Sequence, residues 1–241
     1  MNDAEAFDRQ LNYLLERSPF YRAKGIERVP LERIAELPLT DKAEIRATVS
    51  PEHPFGTHLA AEPSQIVRIH STSGTTGAPS YIPLTAGDLD NWITGSARSY
   101  AASGLKPGMR VITTYNAGPF AAGAALASFD RIGVCHIPMA TGNTEKVLMA
   151  IERLEPDAVV ATPSYAKYLA ETGEVKRSSV SKVLVAGEPG GGEPAFRAAL
   201  EEAWGAKVTE AMGIGDIGVS LWGECEHQDG MHLGAYGFVH P

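Results

Sequence analysis

Apolar positions recur at helical spacing near the start of the chain. Phe7, Leu11, Leu14 and Leu15 share one face, with Pro19 just beyond, so the pattern predicts an N-terminal helix that ends before that proline. A second short helix is predicted after Thr40, whose hydroxyl is placed to cap the segment from Asp41 to Thr48. From Val111 onward the pattern changes. Short apolar runs predict strands at Val111–Tyr115, Val134–Met139, Asp157–Thr162, Lys182–Ala186 and Lys207–Met212. Helical patterns fall between them, at Phe120–Phe129, at Thr144–Leu154 with Thr144 as its cap, at Tyr165–Glu171 and at Pro194–Trp204. This alternation predicts an α/β fold, a mostly parallel sheet flanked by helices on both faces. Crossovers of one hand then gather the strands' C-terminal ends at one edge, where such folds place ligands. The Gly/Pro-rich stretch Gly187–Pro194 follows a predicted strand directly and reads as a functional turn rather than a linker. Gly213–Pro241, rich in Gly and His, carries no helical pattern.

Composition narrows the class. Of 241 residues, 44% are hydrophobic and 21% charged, which is globular rather than disordered. Asp and Glu number 29 against 21 Lys and Arg, and the net charge of −8 argues against sequence-independent nucleic-acid binding. Two cysteines, Cys135 and Cys225, are too few for a disulfide-stapled secreted scaffold. Cys135 falls on a predicted strand and is expected to be a buried packing residue. The polar, acidic start Met1–Arg9 lacks the basic-then-apolar order of a signal peptide. The most apolar run, Ala117 to Phe129, is short and broken by Pro119 and Gly123. A soluble, cytoplasmic protein with no membrane partner is therefore expected.

The sharpest chemical signal is Ser71-Thr72-Ser73-Gly74-Thr75-Thr76-Gly77-Ala78-Pro79-Ser80. Glycines let a backbone turn its amides inward and hydroxyls add donors, which together suit phosphate oxygens. A Ser/Thr/Gly surface loop is the alternative, and the Gly-Lys-Ser/Thr ending of a Walker loop is absent. Cys225, His227 and His232 offer ligand types that suit Zn²⁺. Their Cys-x-His-x₄-His spacing matches no common finger pattern and leaves a fourth ligand unassigned, so a free thiol with surface or pocket histidines is the preferred reading.

The Ser71–Ser80 run resembles the phosphate loop of the adenylate-forming (AMP-binding) superfamily, and its surroundings are similar to the phenylacetate–CoA ligase branch. The likeness continues through Ser18-Pro19-Phe20-Tyr21, Leu37-Pro38-Leu39-Thr40-Asp41-Lys42, Pro54-Phe55-Gly56 and Val67-Arg68-Ile69-His70. It extends in order through Gly142-Asn143-Thr144-Glu145, Ala161-Thr162-Pro163-Ser164-Tyr165, Ala186-Gly187-Glu188-Pro189 and Glu224-Cys225-Glu226-His227. The resemblance implies an N-terminal helical segment over 1–60 and an AMP-binding α/β domain over 61–241, an incomplete large N-terminal domain of the adenylate-forming fold. It implies activation of an aryl carboxylic acid such as phenylacetate by ATP, with an acyl-adenylate intermediate, release of pyrophosphate and transfer to CoA, assisted by Mg²⁺.

The same resemblance implies roles residue by residue. Thr72, Ser73, Gly74, Thr75, Thr76 and Gly77 would hold the β- and γ-phosphates, with Thr75 and Thr76 acting in catalysis. Gly187, Glu188 and Pro189 would lie along adenine and ribose. Glu210-Ala211-Met212-Gly213-Ile214-Gly215-Asp216 occupies the place of an aromatic-Gly-x-Ser/Thr-Glu motif, so that Met212 and Gly213 would meet the nucleotide and Asp216 would bind Mg²⁺ and serve catalysis. Here the chain departs from the family. Met212 replaces the aromatic, Gly215 the hydroxyl and Asp216 the Glu, while Ala78 stands where the branch carries Lys. Tyr115, Phe120, Ala140 and Gly142 fall where the acid pocket begins, with Tyr165 nearby; for the aromatics a plain core position is the alternative.

Family members continue into a ribose-binding Asp, a hinge and a small C-terminal domain that supplies a Lys, and Pro241 precedes these. Two readings follow: a portion of a longer ligase, or a short nucleotide- or acyl-adenylate-binding module without ligase activity. An incomplete fold with an apolar edge is also expected to associate, as a homodimer.

Overall fold

The computed structural model describes residues 3–72, 79–115, 122–140 and 142–233. These form two compact units, one of residues 3–69 and 79–86, the other of 70–72 and 87–233.

The first unit opens with α1 (Asp3–Arg17), which buries Phe7 and Leu11 as the apolar spacing predicts. Pro19 does not simply stop that helix. It starts α2 (Pro19–Ala23), because Ser18 takes the cap position and accepts the Tyr21 amide, and proline suits the first helical turn. The helix α3 (Lys42–Ala47) is capped by Asp41 and not by Thr40. Asp41 Oδ1 accepts the Glu44 amide at 2.8 Å while Glu44 Oε2 accepts the Asp41 amide at 2.9 Å, a reciprocal capping box. The Thr40 hydroxyl instead accepts from Lys24 Nζ at 3.0 Å. Two strands, β1 (Ile66–Ser71) and β2 (Tyr81–Thr85), pair with each other.

The second unit begins with α4 (Ala86–Ala102), continued by β3 (Arg110–Thr113), α5 (Ala122–Ile132), β4 (Cys135–Pro138) and α6 (Thr144–Leu154). It proceeds through β5 (Ala158–Ala161), α7 (Pro163–Thr172), β6 (Lys182–Ala186) and α8 (Pro194–Trp204). Last come β7 (Lys207–Ile214), β8 (Gly218–Glu224) and β9 (Met231–Leu233). The cap of α6 is Asn143, whose side chain accepts the Lys146 amide at 3.0 Å, one residue before the expected Thr144.

The seven strands β3 to β9 form one sheet in the order β4-β3-β5-β6-β7-β8-β9. Pairing is parallel from β4 to β7, and β8 and β9 are antiparallel additions at one side. Alternate side chains of each strand point to opposite faces, and the core splits accordingly. On one face Ile112, Val159, Val183, Val185 and Val208 pack with Val147, Leu169, Leu200 and Trp204 of α6, α7 and α8. On the other, Val111, Val160, Leu184 and Ala211 pack with Tyr100 of α4 and Phe129 of α5, whose rings stack at 5.1 Å. The predicted doubly covered, mostly parallel sheet is thus observed. Cys135 departs from expectation: it lies on the outermost strand β4 and is exposed, because an edge strand has a neighbour on one side only.

Candidate functional site

Parallel register brings the C-terminal ends of β3 to β7 to one edge of the sheet. Thr113 pairs with Pro138 and Val160, Ala161 with Val185, and Ala186 with Ala211. Tyr115, Ala140, Gly142, Gly187, Glu188 and Pro189 follow their strands at this edge, Met212 and Gly213 lie near the end of β7, and Asp216 lies in the turn just past it. The strand order reverses at β3, with β4 on one side and β5 to β7 on the other. Open α/β sheets bind ligands outside the strand ends at such a reversal. Thr72 follows β1 and is half-buried. Ser73, Gly74, Thr75, Thr76, Gly77, Ala78 and Phe120 lie outside the described residues.

The turn after β6 is shaped around a carboxylate. Glu210 of β7 receives the backbone amides of Gly191 and Gly192. A Cβ added at Gly192 would fall 2.5 Å from Glu210 Oε2, and one at Gly191 would fall 2.6 Å from a Val185 methyl, so a side chain at either position would displace the carboxylate or the valine. Burial, and then the neighbouring charge of Glu224, raise the Glu210 carboxyl above its ordinary value. Glu224 closes the network from the end of β8. It is buried, its Oε2 accepts the Glu210 amide at 2.9 Å, and its Oε1 meets Arg197 Nη2 at 2.6 Å. Arg197 Nε reaches back to the Gly191 carbonyl at 3.5 Å. Sequence reasoning missed all three roles. The available signal was an acid inside an apolar strand run, which a buried position must pair with donors.

The same turn is tied at its other end. Glu188 Oε2 accepts the Ser164 amide at 3.2 Å, at the first turn of α7, where a carboxylate favours the exposed amides. Thr162 caps that helix through the Tyr165 amide. A groove of about 540 Å³ runs outside this junction, lined by Pro163, Ser164, Tyr168, Glu188 and Pro189 among others. A larger cavity of about 680 Å³, near Leu148, Glu152 and Val175, borders α6 and does not involve any predicted site residue.

Tyr115 has a structural duty at this edge. Its hydroxyl donates to the carbonyls of Ala161 at 3.1 Å and Ala186 at 3.2 Å, joining the ends of β5 and β6, and burial pushes its phenol well above the ordinary value. Removing that hydroxyl in Tyr115→Phe is expected to cost about 1 kcal/mol of stability. Urea unfolding of the two chains checks this, and an unchanged midpoint would show that the bridge contributes nothing. Tyr165 packs against the first core face, with its hydroxyl 3.4 Å from Thr144 Oγ1.

Beyond β7 the chain reverses in a tight turn, with the Ile217 amide donating to the Ile214 carbonyl at 2.8 Å. Asp216 sits half-buried in this turn. Met212, Ile214 and Ile217 around it are exposed, at 47%, 44% and 57%. Apolar side chains thus flank a carboxylate at the edge where the other predicted residues converge. The register shifts between Met212 and Ile214, and a Cβ added at Gly213 would fall on the backbone carbonyl of Val219.

The structure regroups the proposed zinc residues. Cys225 and His232 come together with Asp229, and His227 is left out of the cluster. Among the described residues, no helix is long and apolar enough to cross a membrane.

Comparison with known proteins places this geometry. The family model described as AMP-binding enzyme matches residues 20–241. A phenylacetate-coenzyme A ligase of Thermus thermophilus is 33% identical over 244 residues, covering 95% of this chain and 53% of the relative. The phenylacetate-coenzyme A ligase of Escherichia coli is 32% identical over 238 residues, covering 91% of this chain and 52% of the relative. The chain therefore spans about half the length of the curated relatives it matches. A crystal structure of 2-hydroxyisobutyryl-CoA ligase, in an open conformation with 2-HIB-AMP and CoA, superposes with a TM-score of 0.86 at 25% identity, over 95% of this chain and 53% of that one.

Proposed function

The chain belongs to the AMP-binding enzyme family, and on that footing we propose that it forms the nucleotide- and acid-binding part of an ATP-dependent, AMP-forming ligase. The proposed substrate is an aryl carboxylic acid of the phenylacetate type, activated as an acyl-adenylate and passed to CoA. The observation that carries the reading is the single sheet edge shared by the Gly187–Pro189 turn, Met212 with its exposed apolar neighbours, and the Asp216 carboxylate. The ligase names of the relatives support the reaction class.

In this reading each group does what its chemistry allows. The hydroxyls and amides of Thr72 to Gly77 donate to phosphate oxygens, and Thr75 and Thr76 stabilise the charge that builds as the acid attacks the α-phosphate. Met212 covers the adenine face through its polarizable thioether. Gly187, Glu188 and Pro189 lie along adenosine, held in place by the Glu210 carboxylate behind them. Ala140, Gly142, Phe120 and the Tyr115 ring border the acid. Asp216 supplies one hard oxygen donor at the edge, which fits Mg²⁺, a cation bound through one or two carboxylates together with phosphates. When bound, Mg²⁺ would neutralise phosphate charge.

A second reading, a module that binds nucleotide without turnover, is favoured by the replacements at Met212, Gly215 and Asp216. One experiment separates them. The chain is titrated with ATP and Mg²⁺, and phenylacetate-dependent pyrophosphate exchange is followed. Exchange supports the ligase, and binding without exchange supports the module. Replacing Thr75 and Thr76 together by Ala is expected to weaken ATP binding by at least tenfold, about 1.4 kcal/mol for the two donors lost. Unchanged affinity would remove the loop from the phosphate site, and no ATP binding at all would overturn both readings.

A further inference from the structure

The hairpin between β8 and β9 gathers three side chains of different chemistry. Cys225, Asp229 and His232 each offer one ligand atom, and these atoms lie within 4.8 Å of one another. Cys225 Sγ is 3.5 Å from Asp229 Oδ1, and His232 Nε2 is 3.9 Å from the same oxygen. A tetrahedral Zn²⁺ with Zn–S near 2.3 Å and Zn–O near 2.0 Å holds sulfur and oxygen about 3.5 Å apart. The cluster already has nearly that spacing.

The turn that creates it is fixed from outside the cluster. Gln228 adopts a left-handed φ of 58°, uncommon for a residue with a Cβ. Its side-chain amide donates to Glu201 Oε1 of α8 at 2.8 Å and to the Val208 carbonyl of β7 at 2.6 Å. That anchor turns the chain so that Asp229 faces back onto Cys225. The His227 amide donates to Cys225 Sγ at 3.4 Å, the kind of outer contact that steadies a sulfur ligand. Strand β9 buries none of its three side chains and pairs with β8 through three residues only, so little apolar packing holds it.

We propose that Cys225, Asp229 and His232 bind a divalent metal, with Zn²⁺ as the cation that their sulfur, oxygen and nitrogen donors select, water filling the fourth position. The metal clamps the hairpin. It lies at the opposite end of β8 from Asp216, seven residues of extended chain or roughly 23 Å away, so it serves structure and not the nucleotide edge. His227 contributes its backbone amide and no imidazole.

The test uses the full 241-residue chain, stripped with a chelator and titrated with Zn²⁺ and separately with Co²⁺. One Zn²⁺ per chain is expected, together with a raised unfolding midpoint and, for Co²⁺, a thiolate-to-metal charge-transfer band in the near ultraviolet. Cys225→Ser should abolish the band, Asp229→Asn and His232→Ala should weaken binding at least tenfold, and His227→Ala should leave it intact. The cobalt band is read on the unaltered chain, so a variant that fails to fold does not decide the matter. No stoichiometric binding at micromolar metal, binding without the band, or loss of binding in His227→Ala would each overturn the proposal.

Discussion

Arg197→Met is expected to destabilise the chain by about 3 kcal/mol at neutral pH, because it strands the Glu224 carboxylate in the interior. Methionine matches the arginine stem in length and keeps its apolar packing, so the loss isolates the charge. The two side chains are only 12% and 7% exposed, and Arg197 Nη2 lies 2.6 Å from Glu224 Oε1. Solvent therefore screens the pair little, unlike the exposed ion pairs elsewhere on the chain. The effect should also depend on pH in a defined sense. The Glu210 carboxyl is already raised by burial and by Glu224, and Arg197 is a group that pulls it down. Without Arg197 it rises further. A carboxyl raised in the folded state favours folding below its unfolded value, near 4.3, and loses that contribution as pH climbs through the folded value. The deficit of Arg197→Met should thus be small near pH 4 and largest at neutral pH. Chemical denaturation at both pH values measures it. Adding Glu224→Gln removes the stranded charge and should recover part of the loss; equal instability of the single and double variants would assign the effect to packing instead.

Gly213→Ala is expected to be at least as damaging, about 3 kcal/mol or more, and to abolish nucleotide binding in whatever fraction folds. The cause is steric. The β7–β8 hairpin shifts register between Met212 and Ile214, and at that irregularity the Val219 carbonyl occupies the position of a Cβ on residue 213. Two backbones, unlike a flexible side-chain tip, cannot yield by a few tenths of an ångström. Relief requires the pairing to slip, and a slip of one residue exchanges inward and outward side chains. Met212 and the turn bearing Asp216 would leave the edge together. Urea unfolding, with ATP titration of the folded fraction, checks both effects; a Gly213→Ala chain of ordinary stability would contradict this packing.

How far the sequence was legible depends on where each residue's partners lie. Lys182–Ala186, Thr144–Leu154 and Pro194–Trp204 have the bounds read from pattern, because each repeats its apolar period against a buried face. The cap of α3 was placed one residue early and that of α6 one residue late, since the capping residue is the last one outside the helix and its neighbour carries an equally plausible hydroxyl. The 17-residue α4 was missed altogether. Much of its buried face is Gly95, Ser96, Ala97 and Ser99, and it closes on the sheet where the Ser220 hydroxyl donates to Ser99 and, just past its end, the Ser103 hydroxyl donates to the Glu224 carbonyl. A search for large apolar residues does not see a contact made of small hydroxyls. The strands β8 and β9 escaped because Gly218 and Gly223 interrupt the apolar pattern of β8 and β9 has only three residues. At the candidate site, glycine-rich turns and hydroxyl runs announce themselves locally. The network of Arg197, Glu210 and Glu224 does not, because its meaning comes from three separate elements meeting.

The division of labour within the sheet has a consequence for divergence. Strands β3 and β5 to β7 bury residues in the two cores, while the edge strand β4 is at most half-buried, and the segments after all of them reach the edge. The segments around Tyr115, Thr162–Tyr165 and Gly187–Glu193 are tied to one another by the Tyr115 hydroxyl and by Glu188, whereas Ala140 and Gly142 at the end of β4 carry no such tie among the described residues. A graft or an insertion after β4 is therefore expected to leave β3 and its neighbours in register, whereas one at the tied segments disturbs more than the strand beneath it. The end of β4 is in this sense detachable from the Gly191–Gly192 turn and its carboxylate support.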